Sequence, residues 1–126
     1  MIAIRADANK EIGTGHIMRC LSIAAALQEA GQEVCFILAD TEALALLKSK
    51  GQQVYVLHSD YRQLEEEIPK LCELVERLSP DYLLIDSYYV TPEYLRKLGK
   101  YTKTAYVDDK NSFPYPVDMV INYNIL

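Results

Sequence analysis

The fold is decided by residues 2–31, which read IAIRADANKEIGTGHIMRCLSIAAALQEAG. The short apolar run at residues 2–5 predicts a strand, and residues 15–30 have the spacing of an amphipathic helix. Its predicted buried stripe consists of Ile17, Leu21, Ala24, Ala25 and Leu27. Gly31 supplies the residue that commonly ends a helix. A strand, a glycine-containing loop and a helix in this order indicate the first unit of an α/β domain.

The same alternation continues along the rest of the chain. Further apolar runs predict strands at residues 34–38, 54–57, 82–85, 104–107 and 117–121. Stretches of helical period between them predict helices at residues 41–50, 61–78 and 91–98. Pro69 predicts a kink or a fresh start in the third helix, and Pro92 suits the first turn of the fourth. The pattern predicts a Rossmann-like α/β domain, with a mostly parallel sheet and helices on both faces.

The bulk composition narrows the class of protein. A chain of 126 residues with 50% hydrophobic and 25% charged residues fits one globular domain. The net charge of -5 and the scattered basic residues argue against a nucleic-acid partner. Cys20, Cys35 and Cys72 are odd in number and lack CxxC spacing, which indicates free thiols in a reducing cytosol. We expect a cytoplasmic protein with no membrane span, because no apolar run approaches about 18 residues.

The predicted sheet indicates where a ligand binds. In sheets of this class, ligands bind beyond the carboxyl ends of the strands, where the strand order reverses. Here that place lies between the first and fourth strands, next to residues 6–16 and 86–91. Residues 108–116 form a candidate third wall, in which the acidic pair at its start is interpreted as a turn rather than a metal site.

Two glycines lie in the loop EIGTGH, residues 11–16, which joins the first strand to the first helix. Glycines here let the backbone approach a ligand at a helix N-terminus. The dinucleotide fingerprint requires a third glycine where Met18 stands, and the P-loop requires Gly-Lys-Ser/Thr. Both phosphate motifs fail, and we expect no cofactor.

His16 is the candidate catalytic base. It begins the first helix at the predicted crevice, where the positive end of the helix disfavours an imidazolium and leaves a neutral base. The alternative is a histidine that caps the helix or packs against the loop. Arg19 and Cys20 follow on the same face, but one histidine and one cysteine are too few ligands for zinc. Cys20 is interpreted as a packing residue, with a Cys-His nucleophile pair as the rival interpretation.

Two acidic residues end neighbouring strands in this prediction. Asp7 and Asp86 are expected to place carboxylates across the same crevice, where they would hold a hydroxyl, orient His16 or steady a water. Capping of loop amides explains either residue equally well. Tyr88, beside Asp86, is a candidate for stacking on a sugar ring. The acidic run at residues 65–67 is interpreted as a solvated helix face.

Taken as a whole, residues 4–27, IRADANKEIGTGHIMRCLSIAAAL, are similar to the N-terminal signature of a known family. The family comprises the UDP-2,4-diacetamido-2,4,6-trideoxy-beta-L-altropyranose hydrolases of pseudaminic acid biosynthesis, together with spore coat polysaccharide biosynthesis proteins. Three later segments resemble it in the same order, namely IDSY at 85–88, YVDD at 106–109 and DMVINYN at 118–124. The resemblance therefore spans nearly the whole chain.

The resemblance implies that residues 1–126 form one domain, the N-terminal half of a two-domain glycosyltransferase-B-like fold. The C-terminal nucleotide-binding half would be absent from this chain. Enzymes of this family release UDP from the anomeric carbon of a 2,4-diacetamido-2,4,6-trideoxyhexose, with water as acceptor and no metal. The family's catalytic histidine falls on His16, as general base. The expected substrate contacts are Asp7, Gly13, Thr14, Gly15, Arg19, Asp86 and Tyr88.

Two other functions remain open from the sequence. A glycosyltransferase of the same architecture would use a second sugar or a lipid instead of water. A non-catalytic domain would bind a sugar or a protein partner. We expect the isolated chain to show negligible hydrolysis, and an apolar face that would meet the second half makes self-association of the chain an additional expectation.

Overall fold

The computed structural model describes residues 1–7, 15–87, 89–108 and 116–122. Strands and helices alternate along these ranges. The strands are β1 (Ile2–Ala6), β2 (Val34–Leu38), β3 (Gln53–Val56), β4 (Tyr82–Asp86), β5 (Thr104–Asp108) and β6 (Met119–Asn122). The helices are α1 (Gly15–Glu29), α2 (Leu44–Ser49), α3 (Leu64–Leu78) and α4 (Pro92–Leu98). The predicted α/β alternation is confirmed.

The strands form one parallel sheet in the order β3-β2-β1-β4-β5-β6. The chain builds outward from β1 to β3 and then returns to place β4 on the other side of β1. In the register of these two central strands, Ala6 lies beside Asp86. The strand order therefore reverses between β1 and β4, as predicted, and this is where sheets of this class bind ligands.

Apolar side chains fill both faces of the sheet. Ile4 and Ala6 of β1 belong to one buried cluster with residues of α1 and α2, whereas Ala3 belongs to a second cluster with residues of α3 and α4. Successive strand residues point to opposite faces, so a strand buried on both sides is apolar throughout. Among the described helices, none is both long enough and apolar enough to cross a membrane.

The buried stripe of α1 differs at one position from the prediction. Ile17 and Ala24 are fully buried, and Leu21 and Leu27 are half-buried, but Ala25 is exposed. Cys20 takes the place on the stripe between Ile17 and Ala24, since it lies three residues after the first and four before the second. The prediction for Ala25 was wrong because adjacent helix residues point about 100° apart.

The ends of the helices differ in part from those that the spacing of apolar residues predicts. α2 and α3 each begin three residues later than predicted, at Leu44 and Leu64. α3 runs without interruption through Pro69, which excludes a fresh start there. Gly31 has a φ of 89°, the left-handed conformation that favours glycine after a helix. At the start of α4, the Thr91 side chain accepts a hydrogen bond from the backbone N–H of Tyr94.

Candidate functional site

The carboxyl ends of β1 and β4 bring two acidic residues to the predicted ligand edge. Asp7 follows β1, and Asp86 is the last residue of β4. The backbone N–H of Asp7 donates to the Asp86 carbonyl oxygen at 3.3 Å. Both residues are buried. Sequence reasoning therefore found the correct pair of strand ends.

The two carboxyl groups do not face each other across one crevice. Asp86 lies beside Ala6, whose side chain belongs to the cluster on the α1 face. Asp7 is the next residue of the chain after Ala6. Alternation along the strand turns the Asp7 side chain to the face covered by α3 and α4. The expectation of two carboxylates across a single crevice was wrong on this point, because each carboxyl group pairs with its own arginine.

On the α1 face, Asp86 is bound by two residues of the first turns of α1. The Nε and Nη2 atoms of Arg19 donate to the two carboxylate oxygens of Asp86, at 3.0 and 2.5 Å. The Cys20 thiol donates to Asp86 Oδ2 at 3.2 Å. These hydrogen bonds connect the first turns of α1 to the carboxyl end of β4. The Arg19 side chain keeps 13% of its surface exposed.

Cys20 was predicted to be a packing residue, and it is buried, but it also holds Asp86. Burial raises the pKa of the Cys20 thiol well above its ordinary value, and the negative charge of Asp86 raises it further. A thiol that stays protonated is a poor nucleophile. The rival Cys-His interpretation is therefore disfavoured by the surroundings of Cys20.

On the opposite face, the Arg5 side chain is fully buried and donates to two carboxylates. Its Nε and Nη2 atoms form a bidentate pair with Glu67 of α3, with both distances 2.8 Å. Its Nη1 atom donates to the carbonyl oxygen of Ala6 at 2.8 Å and to Asp7 Oδ1 at 3.0 Å. One guanidinium therefore links α3 to Ala6 and Asp7 at the carboxyl end of β1.

Glu67 accepts two further hydrogen bonds. The Tyr94 hydroxyl of α4 donates to Glu67 Oε2 at 2.8 Å, and the Ser59 hydroxyl donates to Oε1 at 3.2 Å. We call the set of Arg5, Asp7, Ser59, Glu67 and Tyr94 the edge network. Both oxygens of Glu67 are therefore occupied by donors from three different segments of the chain.

The edge network was missed from the sequence, where Glu67 was interpreted as part of a solvated helix face. That prediction was wrong, since Glu67 is fully buried. Two signals pointed to it. Arg5 stands in an otherwise apolar strand and requires a buried partner, and Glu67 shares the helical spacing of the buried residues Leu64 and Leu71.

Burial and charge act in opposite directions on the ionisable groups of the edge network. Burial lowers the pKa of the Arg5 guanidinium, but the hydrogen bonds and charge of Glu67 outweigh it and raise the pKa overall. Burial raises the pKa of Asp7, and the charge of Arg5 only partly opposes this. Asp7 Oδ2 has no hydrogen-bond partner among the described residues.

An aromatic ring is exposed at the same edge. Tyr89, in the turn after β4, is 44% exposed, and its ring lies 5.5 Å from the ring of buried Tyr61 in an edge-to-face arrangement. The guanidinium of Arg62 lies 5.5 Å from the centre of the Tyr61 ring. Tyr89 also donates its backbone N–H to Ser87 Oγ at 3.2 Å. A ring supported in this way presents a face suited to stacking.

The remaining predicted site residues are only partly described. Gly15 is the first residue of α1 and is exposed, and the backbone of His16 follows it in that helix. The His16 side chain, Gly13, Thr14 and Tyr88 lie outside the described residues. Within the described ranges, no group of three or more His, Cys, Asp or Glu side chains is placed to hold a metal ion.

Comparison with known proteins places the fold but not a family. No family model matches the chain, and no curated protein matches it. The chain is similar to the crystal structure of Acinetobacter baumannii MurG, with a TM-score of 0.67, 16% identity, and 95% of this chain covered. The match extends over 45% of the MurG chain, less than half its length. At this identity the likeness shows the fold, a Rossmann-like half of the glycosyltransferase-B type.

Proposed function

We propose that these residues are one half of a nucleotide-sugar enzyme, a UDP-sugar hydrolase that releases UDP from a 2,4-diacetamido-2,4,6-trideoxyhexose. The observation that carries the proposal is the position of α1, which begins at the point of strand-order reversal with His16 in its first turn. The likeness to MurG, a glycosyltransferase-B enzyme of UDP-sugars, supports a nucleotide-sugar substrate. The resemblance of residues 4–27 to the hydrolase family supports water as the acceptor.

The proposed reaction demands little of the protein beyond placing a water and accepting a proton. The water oxygen attacks the anomeric carbon, the bond from that carbon to the diphosphate oxygen breaks, and its electron pair leaves with UDP. His16 accepts the proton of the attacking water. The N-terminus of a helix favours a neutral imidazole, which is the form that a general base needs.

The attachment of α1 to β4 supports the proposed role of His16. Arg19 lies three residues after His16, and its bidentate pair with Asp86 fixes the first turns of the helix. A base held on a rigid element retains its geometry during attack. We assign Asp86 the role of anchoring Arg19, and the exposed part of Arg19 the role of contacting the diphosphate.

The other proposed substrate contacts are backbone groups before α1 and one aromatic ring. Gly13, Thr14 and Gly15 would hold sugar or diphosphate oxygens through backbone N–H groups, and Tyr88 would stack on the ring. The Asp7 side chain is fully buried, so the direct contact with the sugar that was expected of it is not part of the proposal. A second, C-terminal half would supply the contacts to uridine and most of the diphosphate. The proposal requires neither a metal nor a cofactor, and it places the enzyme in the cytoplasm.

A glycosyltransferase is the second candidate, and the likeness to MurG favours it. In that case a sugar or lipid hydroxyl would replace water at the anomeric carbon, with the same residues holding the donor. The two functions differ in one measurable property. A hydrolase releases UDP and free sugar in water with no added acceptor. A glycosyltransferase requires an added sugar or lipid acceptor for rapid UDP release.

The test uses the native protein that contains these residues and the UDP-linked 2,4-diacetamido-2,4,6-trideoxyhexose. We expect UDP and free sugar to appear in equal amounts, and His16→Ala to slow their release by about 10²–10⁴-fold, the usual contribution of a general base. His58, the second histidine, provides the matched control: it is exposed with a φ of 57°, a conformation that asparagine tolerates. His58→Asn should retain full activity, and full activity in His16→Ala would exclude His16 as the base.

A further inference from the structure

The edge network contains more negative than positive charge if all its groups are ionised. Arg5 supplies one positive charge, and Asp7 and Glu67 would supply two negative charges. The side chains of all three are fully buried. An uncompensated charge in such a site is unfavourable, and the usual outcome is that one group becomes neutral.

The hydrogen bonds identify which carboxyl group is compensated. Glu67 accepts two N–H groups of Arg5 and two hydroxyl groups, from Tyr94 and Ser59. Asp7 accepts one N–H of Arg5, on Oδ1, at a distance of 3.0 Å, and the neighbouring Ser87 side chain also lowers its pKa, but by less than burial raises it. Its other oxygen, Oδ2, is buried and has no partner in the described part of the chain. The guanidinium is thus directed to Glu67, and Asp7 is left with little stabilisation of a negative charge.

We propose that Asp7 is an uncharged carboxylic acid in the folded protein, and that Glu67 keeps it uncharged by holding Arg5. The proton belongs on Oδ2, since Oδ1 already accepts from Arg5. A neutral carboxyl group then follows the end of β1, and Glu67 is a positioning residue. Burial acts in the same direction, because it raises the pKa of Asp7.

Among the described residues, the groups on the α1 face do not supply the missing positive charge. Arg19 donates to Asp86 through Nε and Nη2, so these two residues together add no net charge beside Asp7. The Cys20 thiol donates to Asp86, and burial raises its pKa, so it stays neutral. Tyr94 also stays neutral, because burial raises the pKa of its hydroxyl. Arg5 is therefore the cation on which the charge of Asp7 depends.

The charge of Asp7 can be measured by carboxyl ¹³C NMR of the 126-residue chain, with the resonance identified by its loss in Asp7→Asn. We expect the Asp7 resonance to be that of a protonated carboxyl group at pH 7, where an ordinary aspartate with a pKa of about 3.9 is ionised. Glu67→Gln or Glu67→Leu should lower the titration midpoint of Asp7, because Arg5 then has Asp7 as its remaining carboxylate. Tyr94→Phe is the matched control: it removes one hydrogen bond to Glu67 but no charge, and should shift the midpoint by less than about half a unit.

A resonance typical of an ionised carboxylate at pH 7 in the wild type overturns the proposal that Asp7 is uncharged. An unchanged or raised midpoint in the folded Glu67 variants overturns the role of Glu67. The two Glu67 variants are complementary, since leucine avoids placing an amide N–H against the guanidinium and remains informative if glutamine prevents folding. These measurements need no substrate, so they stand even if the proposed hydrolase activity is absent.

Discussion

Replacing Arg5 with methionine should remove a large part of the free energy of unfolding at neutral pH. The fully buried guanidinium donates four hydrogen bonds, to Glu67, Asp7 and the Ala6 carbonyl oxygen. Methionine leaves the Glu67 carboxylate buried without a cation. Removing one partner of a buried ion pair costs about 3–5 kcal/mol, against about 5–15 kcal/mol for a whole domain.

The loss can be measured by urea unfolding followed by circular dichroism, as a decrease of roughly 2 M in the midpoint. Adding Glu67→Leu to Arg5→Met should recover much of the stability, since an apolar pair replaces the ion pair without leaving a buried charge.

Arg96→Met provides the matched control. Arg96 forms an ion pair with Glu93 at 2.7 Å, but its side chain is 59% exposed. Exposed pairs contribute little, so the control should change stability by less than about 0.5–1 kcal/mol. A loss for Arg5→Met as small as that for Arg96→Met would refute the reasoning.

Three further predictions each concern one side chain, namely Asp7, Cys35 and Tyr89. Because burial raises the pKa of Asp7, stability should fall as the pH rises from about 4 through the folded-state pKa, and urea unfolding of Asp7→Asn should lack this component. Burial raises the pKa of Cys35 to about 11, so roughly one thiol in a thousand is ionised at pH 8, and iodoacetamide should modify it rapidly only in urea. In the native protein, Tyr89→Ala should weaken sugar binding more than Tyr89→Phe, as measured by calorimetry; equal losses would exclude stacking.

The fold could be predicted because its signals are local. Each strand is a short apolar run, and the parallel order follows from the alternation of strands and helices with crossover connections. Helix ends were less accurate, since α2 and α3 both begin three residues after the start that periodicity indicated. Residues with helical spacing extend into the preceding turns, and spacing alone does not distinguish a turn from a first helical turn.

The site could be predicted only where it depends on the ends of strands. Asp7 and Asp86 were located correctly because parallel strands end at one edge. The edge network was not predicted. Arg5 and Glu67 are 62 residues apart in the sequence, and they meet only because α3 packs on the sheet with Glu67 facing β1. A run of three glutamates suggests solvent, and only the position of Glu67 on the buried stripe contradicts that interpretation.

The two arginine–carboxylate clusters at this edge have different roles because the balance of positive and negative charge differs between them. On the α1 face, Arg19 and Asp86 form one cation with one anion, so the pair is neutral and can fasten a helix. On the other face, Arg5 serves two carboxyl groups, so one of them must give up its charge. Alternation along β1 and β4 separates the two clusters, and a single sheet edge therefore combines a helix held in place with a neutral carboxyl group.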